Sequence, residues 1–313
     1  MTKTFLLTGG AGHLGSLLAR RLSAQGHRVF SLVRRGGHAL RLEDLGGTIA
    51  RLEADVADAA SLGRAVAEAR PDVVFHLSSS VFNPPPTLDT HMATNVGGAA
   101  NLIQALEPFP AAQIVYASTA AIYGNANRAK EDEAPAPATW LGASKAAASL
   151  LFATHARMTG RKITEFRIYT PFGPWERNTR LIPQIILSAL DGKPIRTTEG
   201  RQTRDYLYAD DLIDLMLLAV ERPHEGWRAY NAGAGEGVPV RTIVATVLEL
   251  MGNPVEAQFG AIPTRPDEIM EMSADISRAA AEFGWRPSTP FMEGLTRTVR
   301  WFTTNADLAR RLI

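Results

Sequence analysis

The chain has 313 residues, 45% of them hydrophobic, enough to bury a substantial core; this excludes a disordered polypeptide and fits one large α/β unit or a main domain with a smaller companion. Its 33 lysines and arginines nearly balance 32 aspartates and glutamates, so no global field draws it to nucleic acid or an acidic membrane. It has no cysteine, which removes disulfides and thiolate chemistry, and its seven histidines form no His-x-x-x-His pair, so no metal site is expected.

The first apolar segment, Thr4 to Leu7, predicts a strand. Its apolar run Phe5-Leu6-Leu7 stops at glycines, too soon for a signal peptide or a membrane span, and a cytoplasmic address is the expectation. Ser16 to Gln25 predicts a helix with leucines 17, 18 and 22 on one face and Gly26 as its stop. Arg28 to Val33 then completes a βαβ unit. Further strands are predicted at Val73 to Leu77, Gln113 to Ala117 and Ile163 to Ile168, with helices near Ala93 to Leu106 and Leu141 to Thr159. This alternation predicts a Rossmann-type, doubly wound parallel sheet in an α/β fold. After Ile168 the prolines at 171, 174, 183 and 194 and shorter periodic segments predict a smaller α/β lobe. The expected domains are 1–168, with a return of about 205–232 that includes a helix from Asp210 to Glu221, and a mainly substrate-binding lobe over 169–313.

The loop after the first strand carries the chemistry. Gly10-Ala11-Gly12-His13-Leu14-Gly15 satisfies G-x-G-x-x-G, and Gly9, Gly12 and Gly15 satisfy G-x-x-G-x-x-G. Lying between a predicted strand and helix, they suit a dinucleotide: glycines allow close backbone approach, and N–H groups at the helix start hold a pyrophosphate. An NAD site usually ends the second strand in a carboxylate that binds the ribose 2′-hydroxyl. Here the strand ends Leu32-Val33-Arg34-Arg35, and two guanidinium groups suit a 2′-phosphate. NADP is therefore the preferred cofactor, with NAD the alternative if both arginines are solvated loop residues.

Several further segments, in order, resemble the extended short-chain dehydrogenase/reductase family, in particular its nucleotide-sugar epimerases and dehydratases, over nearly the full length. Thr8 to Gly15 looks like the family's cofactor loop, with His13 and Leu14 among its contacts. Asp55-Val56 looks like the adenine contact, and His76-Leu77-Ser78-Ser79 resembles a His-Leu-Ala-Ala stretch beside the cofactor. Asn95-Val96-Gly97-Gly98 matches the central helix. Ala117 to Gly124 matches the strand ending in the catalytic serine or threonine, which places Thr119 in that role.

The resemblance breaks at one point. The family's acid/base tyrosine stands four residues before its lysine; here Leu141-Gly142-Ala143-Ser144-Lys145 keeps the lysine and replaces the tyrosine with leucine. Leucine cannot exchange a proton with a sugar hydroxyl. Either Tyr123, Lys145 through water, or a loop carboxylate such as Glu131 supplies the proton, or only binding survives. Lys145 also keeps the family's role toward the nicotinamide ribose.

On the substrate side, Gly200 to Tyr206 resembles the segment whose arginine clamps a nucleoside diphosphate, which places Arg204 there, and Arg265-Pro266-Asp267 resembles a second phosphate-binding arginine. Thr170 stands where the family's substrate-binding asparagine is usual, and Arg180 precedes Leu-Ile-Pro where asparagine is common. Ala120 and Ala121 follow Thr119, lacking the acids of dehydratases and decarboxylases. The resemblance thus implies an NAD(P)-dependent enzyme acting on a nucleotide-diphosphate sugar by C4 epimerisation or keto-reduction. A catalytically silent cofactor- or nucleotide-sugar-binding protein is the alternative, and a non-nucleotide ketone substrate a third. It also implies a homodimer through the two long helices near 93–106 and 141–159.

Overall fold

The computed structural model describes residues 1–80, 87–265 and 268–312. The chain begins β1 (Thr4–Thr8), α1 (His13–Ala24), β2 (Arg28–Val33), β3 (Ala50–Glu53), α2 (Ala59–Ala69), β4 (Val73–His76), α3 (Leu88–His91), a π-helical turn (Met92–Gly97) and α4 (Gly98–Ala105). It continues β5 (Gln113–Thr119), β6 (Ala126–Ala129), α5 (Trp140–Thr159), β7 (Ile163–Ile168), β8 (Thr170–Phe172), α6 (Leu181–Leu190), β9 (Ile195–Thr197), β10 (Thr203–Tyr208) and α7 (Ala209–Glu221). It closes with β11 (Trp227–Ala232), β12 (Gly237–Pro239), α8 (Val240–Leu250), β13 (Ala257–Phe259), β14 (Met272–Ala274), α9 (Ser277–Phe283), α10 (Phe291–Thr304) and α11 (Ala306–Arg310).

Two compact units divide the chain. The first comprises Met1–Ile122, Pro135–Arg167 and Ile213–Tyr230, the second Tyr123–Ala134, Ile168–Leu212 and Asn231–Ile313. Tyr123–Ala134, expected with the first domain, groups with the second because β6 pairs with β14.

The large sheet runs β11-β7-β5-β4-β1-β2-β3. β1 pairs in parallel with β2 and β4, β2 with β3, and β4 with β5. The strands at its centre bury every residue, Phe5-Leu6-Leu7 and Val73-Val74-Phe75 among them, as a sheet covered on both faces requires. Chain order reverses between β1 and β4, the place where such sheets open a crevice at their carboxyl ends.

The structure adds elements the sequence did not mark, among them α2, β3 and β6. β3 is a short, exposed edge strand. The helix expected over Ala93 to Leu106 is instead a π-helical turn followed by α4. Within that turn the buried Asn95 donates to Ser144 Oγ at 2.9 Å and accepts from the Ser80 amide at 3.2 Å. One extra residue per turn is how a helix aims such a side chain inward.

The second unit has small sheets, β12-β10-β8, β13-β9 and β14-β6, around a core that includes Phe172, Ile185, Tyr206, Ile243, Val247 and Phe302. No helix among the described residues is long and apolar enough to cross a membrane.

In the first unit Phe152 of α5 is fully buried, tilted over Tyr116 at 4.7 Å and edge-on to His76 at 5.8 Å. Phe152→Ala is expected to cost about 3–5 kcal/mol through the cavity it leaves, read as a lowered denaturation midpoint.

Candidate functional site

The glycine turn is sterically closed to side chains. Gly9 has φ +68°, and a Cβ there would stand 2.9 Å from the Leu77 carbonyl carbon and the Ser78 nitrogen. A Cβ on Gly15 would come within 2.6 Å of Gly10 Cα. Gly12 caps α1 in extended backbone with no side-chain acceptor. The head of a twelve-residue helix, opened by His13 and Leu14, therefore presents its amide dipole to an outside anion.

Beside this turn, Thr8 Oγ1 accepts the amides of Leu77 and Ser78, each at 3.2 Å. With its lone pairs used, the hydroxyl donates to His76 Nδ1 at 2.9 Å, which puts the imidazole proton on Nε2. His76 is wholly buried, Nε2 has no partner among the described residues, and burial pushes the ring's pKa down to about 3. It is a neutral packing element. Ser79 Oγ is also buried without a partner among the described residues, a hydroxyl left over for a ligand.

Lys145 completes this group from α5. It is 3% exposed; Nζ donates to the Ala117 carbonyl at 2.8 Å and, more weakly, to the Ser78 carbonyl at 3.4 Å, and lies 4.9 Å from the Tyr116 ring centroid. Desolvation lowers its pKa to about 7, with Glu165 acting in the opposite sense. Two residues beyond Ala117, Thr119 Oγ1 accepts the Ala121 amide at 3.2 Å, which leaves its proton to donate. Leu141 is half-buried in the first turn of α5, which Thr139 caps by accepting the Gly142 amide at 3.2 Å. A Cβ on Gly142 would stand 2.9 Å from the Ala121 carbonyl carbon, so the helix start lies directly against the end of β5. The structure thus brings together Gly9, Leu77, Ser78 and Lys145 through contacts, with Thr119 on the strand that anchors the lysine.

Arg34 and Arg35 are exposed past the end of β2. Asp55 follows β3, its carboxylate accepting the Ala57 amide at 2.9 Å; Val56 is buried, and its carbonyl accepts Asn101 Nδ2 at 2.8 Å. Both segments lie at the carboxyl edge of the sheet, as β1 and its glycine turn do.

Within the second unit, Tyr123 is buried and its hydroxyl donates to Asn231 Oδ1 at 2.8 Å. Glu131 is buried too, accepting the Asn231 amide at 2.8 Å and lying 3.6 Å from Arg278. These two candidate proton carriers are tied into one internal knot. Arg204 donates to the carbonyls of Thr203 at 2.8 Å and Ile269 at 2.6 Å and pairs with Glu268 Oε1. Arg265 pairs with the other oxygen of Glu268 at 3.2 Å, so the two arginines converge on one carboxylate that sequence reasoning had not singled out. Pro266 and Asp267 lie outside the described residues. Thr170 is half-buried on β8, and Arg180 precedes α6 with Nε 3.4 Å from Glu176. No group of three His, Cys, Asp or Glu among the described residues is arranged to hold a metal ion.

A family model described as the NAD dependent epimerase/dehydratase family matches residues 5–233. The chain belongs to that family. Its members among known proteins are enzymes. A probable UDP-glucuronate 4-epimerase of Rhizobium meliloti is 28% identical over 96% of this chain and 97% of its own length. A dTDP-glucose 4,6-dehydratase of Neisseria meningitidis is 29% identical over 97% and 94%. Among solved structures, a UDP-glucose 4-epimerase of Thermotoga maritima with UDP-glucose superposes at TM-score 0.89 with 26% identity, covering 96% of this chain and 99% of that one. The Thermus thermophilus UDP-glucose 4-epimerase in complex with NAD gives 0.85 and 28%, covering 96% and 98%. The family model thus covers residues 5–233, and both of these solved structures cover 96% of the chain.

Gly15→Ala is expected to weaken NAD binding about tenfold or more, because the turn must open to admit the methyl. Titration of cofactor against protein fluorescence measures it, and an unchanged dissociation constant would remove the glycine turn from the binding site.

Proposed function

We propose that this family member is an NAD(P)-dependent enzyme acting at C4 of a nucleotide-diphosphate sugar, by epimerisation or keto-reduction, with Lys145 replacing the missing tyrosine as proton carrier. The observation that carries this reading is the buried Lys145 ammonium, its pKa lowered to about 7, anchored to the strand that ends in Thr119. A tyrosine-free site needs a group that exchanges protons near neutral pH, and a desolvated lysine does. Tyr123 and Glu131 are poorer candidates because their polar atoms are engaged with Asn231.

The cradle suits the cofactor: the closed glycine turn, the head of α1 with no side-chain cap on Gly12, and the Ser79 hydroxyl, which has no partner among the described residues, suit polar contacts with it. When bound there, the nicotinamide supplies a hydride acceptor and donor. With the cofactor held there, neutral Lys145 would take the C4 hydroxyl proton, directly or through one water, and would return it to the same oxygen. Thr119 donates its free proton to the same oxygen. Asp55 and Val56 fit the adenine end, and Leu77, Ser78 and Ser79 the nicotinamide side. The exposed Arg34 and Arg35 favour a 2′-phosphate, hence NADP over NAD. Arg204 and Arg265, with Arg180 and Thr170, hold the nucleotide sugar in this reading; guanidinium forks converging on the Glu268 carboxylate suit an anion of similar spacing.

Leu141 supports a second reading, a silent binding protein. Incubation with UDP-, dTDP-, CDP- and GDP-sugars, with NAD and NADP separately, is expected to give a mass-neutral or two-hydrogen product that Lys145→Met abolishes. Tight binding without turnover, with activity appearing only in Leu141→Tyr, would favour the silent reading.

We also propose that a second copy covers α3, the π-helical turn and α5. α5 buries one face, yet its outer surface exposes Leu150 at 68% and Met158 at 80%, and Leu88 and Met92 are exposed nearby in the chain. A helix apolar on more than its core face is one that something covers. Leu150→Glu is expected to convert a dimer to a monomer in light scattering; a wild-type monomer at micromolar concentration would end this proposal.

A further inference from the structure

Glu165 is a carboxylate inside the sheet. It is fully buried on β7, in the run Ile163-Thr164-Glu165-Phe166-Arg167-Ile168, where every residue is buried. Burying a charge is costly unless it is paired and hydrogen-bonded, and this one is held from three elements. Ser149 Oγ on α5 donates to Oε2, Trp227 Nε1 on β11 donates to the same oxygen at 3.1 Å, and Arg167 Nε lies 3.3 Å from Oε1. Neither the cofactor nor the substrate contacts proposed above use it.

Ser149 lies four residues after Lys145, on the same face of α5. Lys145 and Glu165 therefore meet the same helix face from opposite partners: one points its ammonium to the carbonyl of Ala117 on β5, the other grips the helix one turn later from β7. Tyr116 of β5 lies under the ammonium, and its hydroxyl donates to the Lys145 carbonyl at 3.3 Å. Burial and the Glu165 charge both push the Tyr116 phenol well above its ordinary value, so it stays neutral. The groups that act on the ammonium thus include His76 of β4 and Tyr116 of β5, both neutral, and Glu165 of β7, which is ion-paired with Arg167 of its own strand.

We propose that Glu165 is a positioning residue for the reaction, fixing α5 through Ser149 and supplying the negative charge with which the Lys145 ammonium is buried. This deepens the reading of Lys145 as proton carrier and rests on it. Without Glu165 the ammonium would lose a negative charge that favours it. A guanidinium keeps its proton and a buried amine gives it up, so Lys145 is the group that changes. Glu165 therefore holds the amine's titration near neutral pH, where it can both take a proton and return one.

The test is Glu165→Gln, which retains the shape. In wild type, oxidation of the sugar hydroxyl loses rate as pH falls through the lysine's titration; in Glu165→Gln that limb is expected to move lower by about one pH unit. The apoenzyme provides a readout independent of turnover: labelling of Lys145 by acetic anhydride across pH, followed by mass spectrometry, should shift in the same direction. Trp227→Phe removes a hydrogen bond to the carboxylate but not its charge, and its limb should stay where the wild-type limb is. A limb equally displaced in Glu165→Gln and Trp227→Phe, or in neither, overturns the proposal. If Glu165→Gln does not fold, Glu165→Asp should show a smaller displacement in the same direction, and coincidence with wild type overturns it. Undiminished activity in Lys145→Met would instead sink the reading of Lys145 itself, an outcome distinct from these.

Discussion

Burying the Lys145 ammonium beneath the ends of β4 and β5 constrains much of the first unit, because its protons need acceptors that water no longer supplies. Two backbone carbonyls, of Ala117 and Ser78, meet that need, so the last residues of β5 and the first after β4 are held at fixed positions relative to α5. Ser78 is in turn held by Thr8, whose single hydroxyl gathers two amides and the His76 ring at the end of β1. The glycine turn rests on the same backbone, since Gly9 is in contact distance of Leu77 and Ser78. One buried cation therefore connects, through four short links, the turn that suits a pyrophosphate with the strand that ends in Thr119.

The same polar network explains why α5 starts where it does. Thr139 caps it, Gly142 allows it to approach Ala121, and Ser144 is bonded by Asn95 from the π-helical turn. Each contact sits within two turns of Lys145, and Glu165 adds a fourth one turn further on through Ser149. Leu141 itself is half-buried and lies between Thr139 and Gly142, which set the helix start.

The central strands were legible in the sequence because parallel strands buried on both faces leave unbroken apolar runs, and the glycine turn was legible because no other residue tolerates such close backbone approach. β3 was not, since an exposed edge strand reading Ala-Arg-Leu-Glu carries too little apolar signal. The π-helical turn was hidden because six residues are too few to separate one helical period from another. In the candidate site, Thr119 and Lys145 stood out through motif spacing. Glu165 did not, as its partners Ser149 and Trp227 are 16 and 62 residues away, and nothing local distinguishes a paired carboxylate from a solvated one. Likewise the sequence offered Tyr123 and Glu131 as proton carriers, and only the fold reveals that Asn231 engages both.

Glu268 alters what Arg204 and Arg265 are to a distant ligand. Seen from beyond a Debye length, roughly 8 Å in physiological salt, two guanidinium groups sharing a carboxylate amount to one positive charge. Attraction of an anion across solvent is correspondingly weak. Discrimination then falls to the final few ångströms, where an incoming group must match donors already arranged around an oxygen pair. If the nucleotide sugar is held here as proposed, such a locus would select by shape and hydrogen-bond direction, and passing anions without that shape would gain little from it.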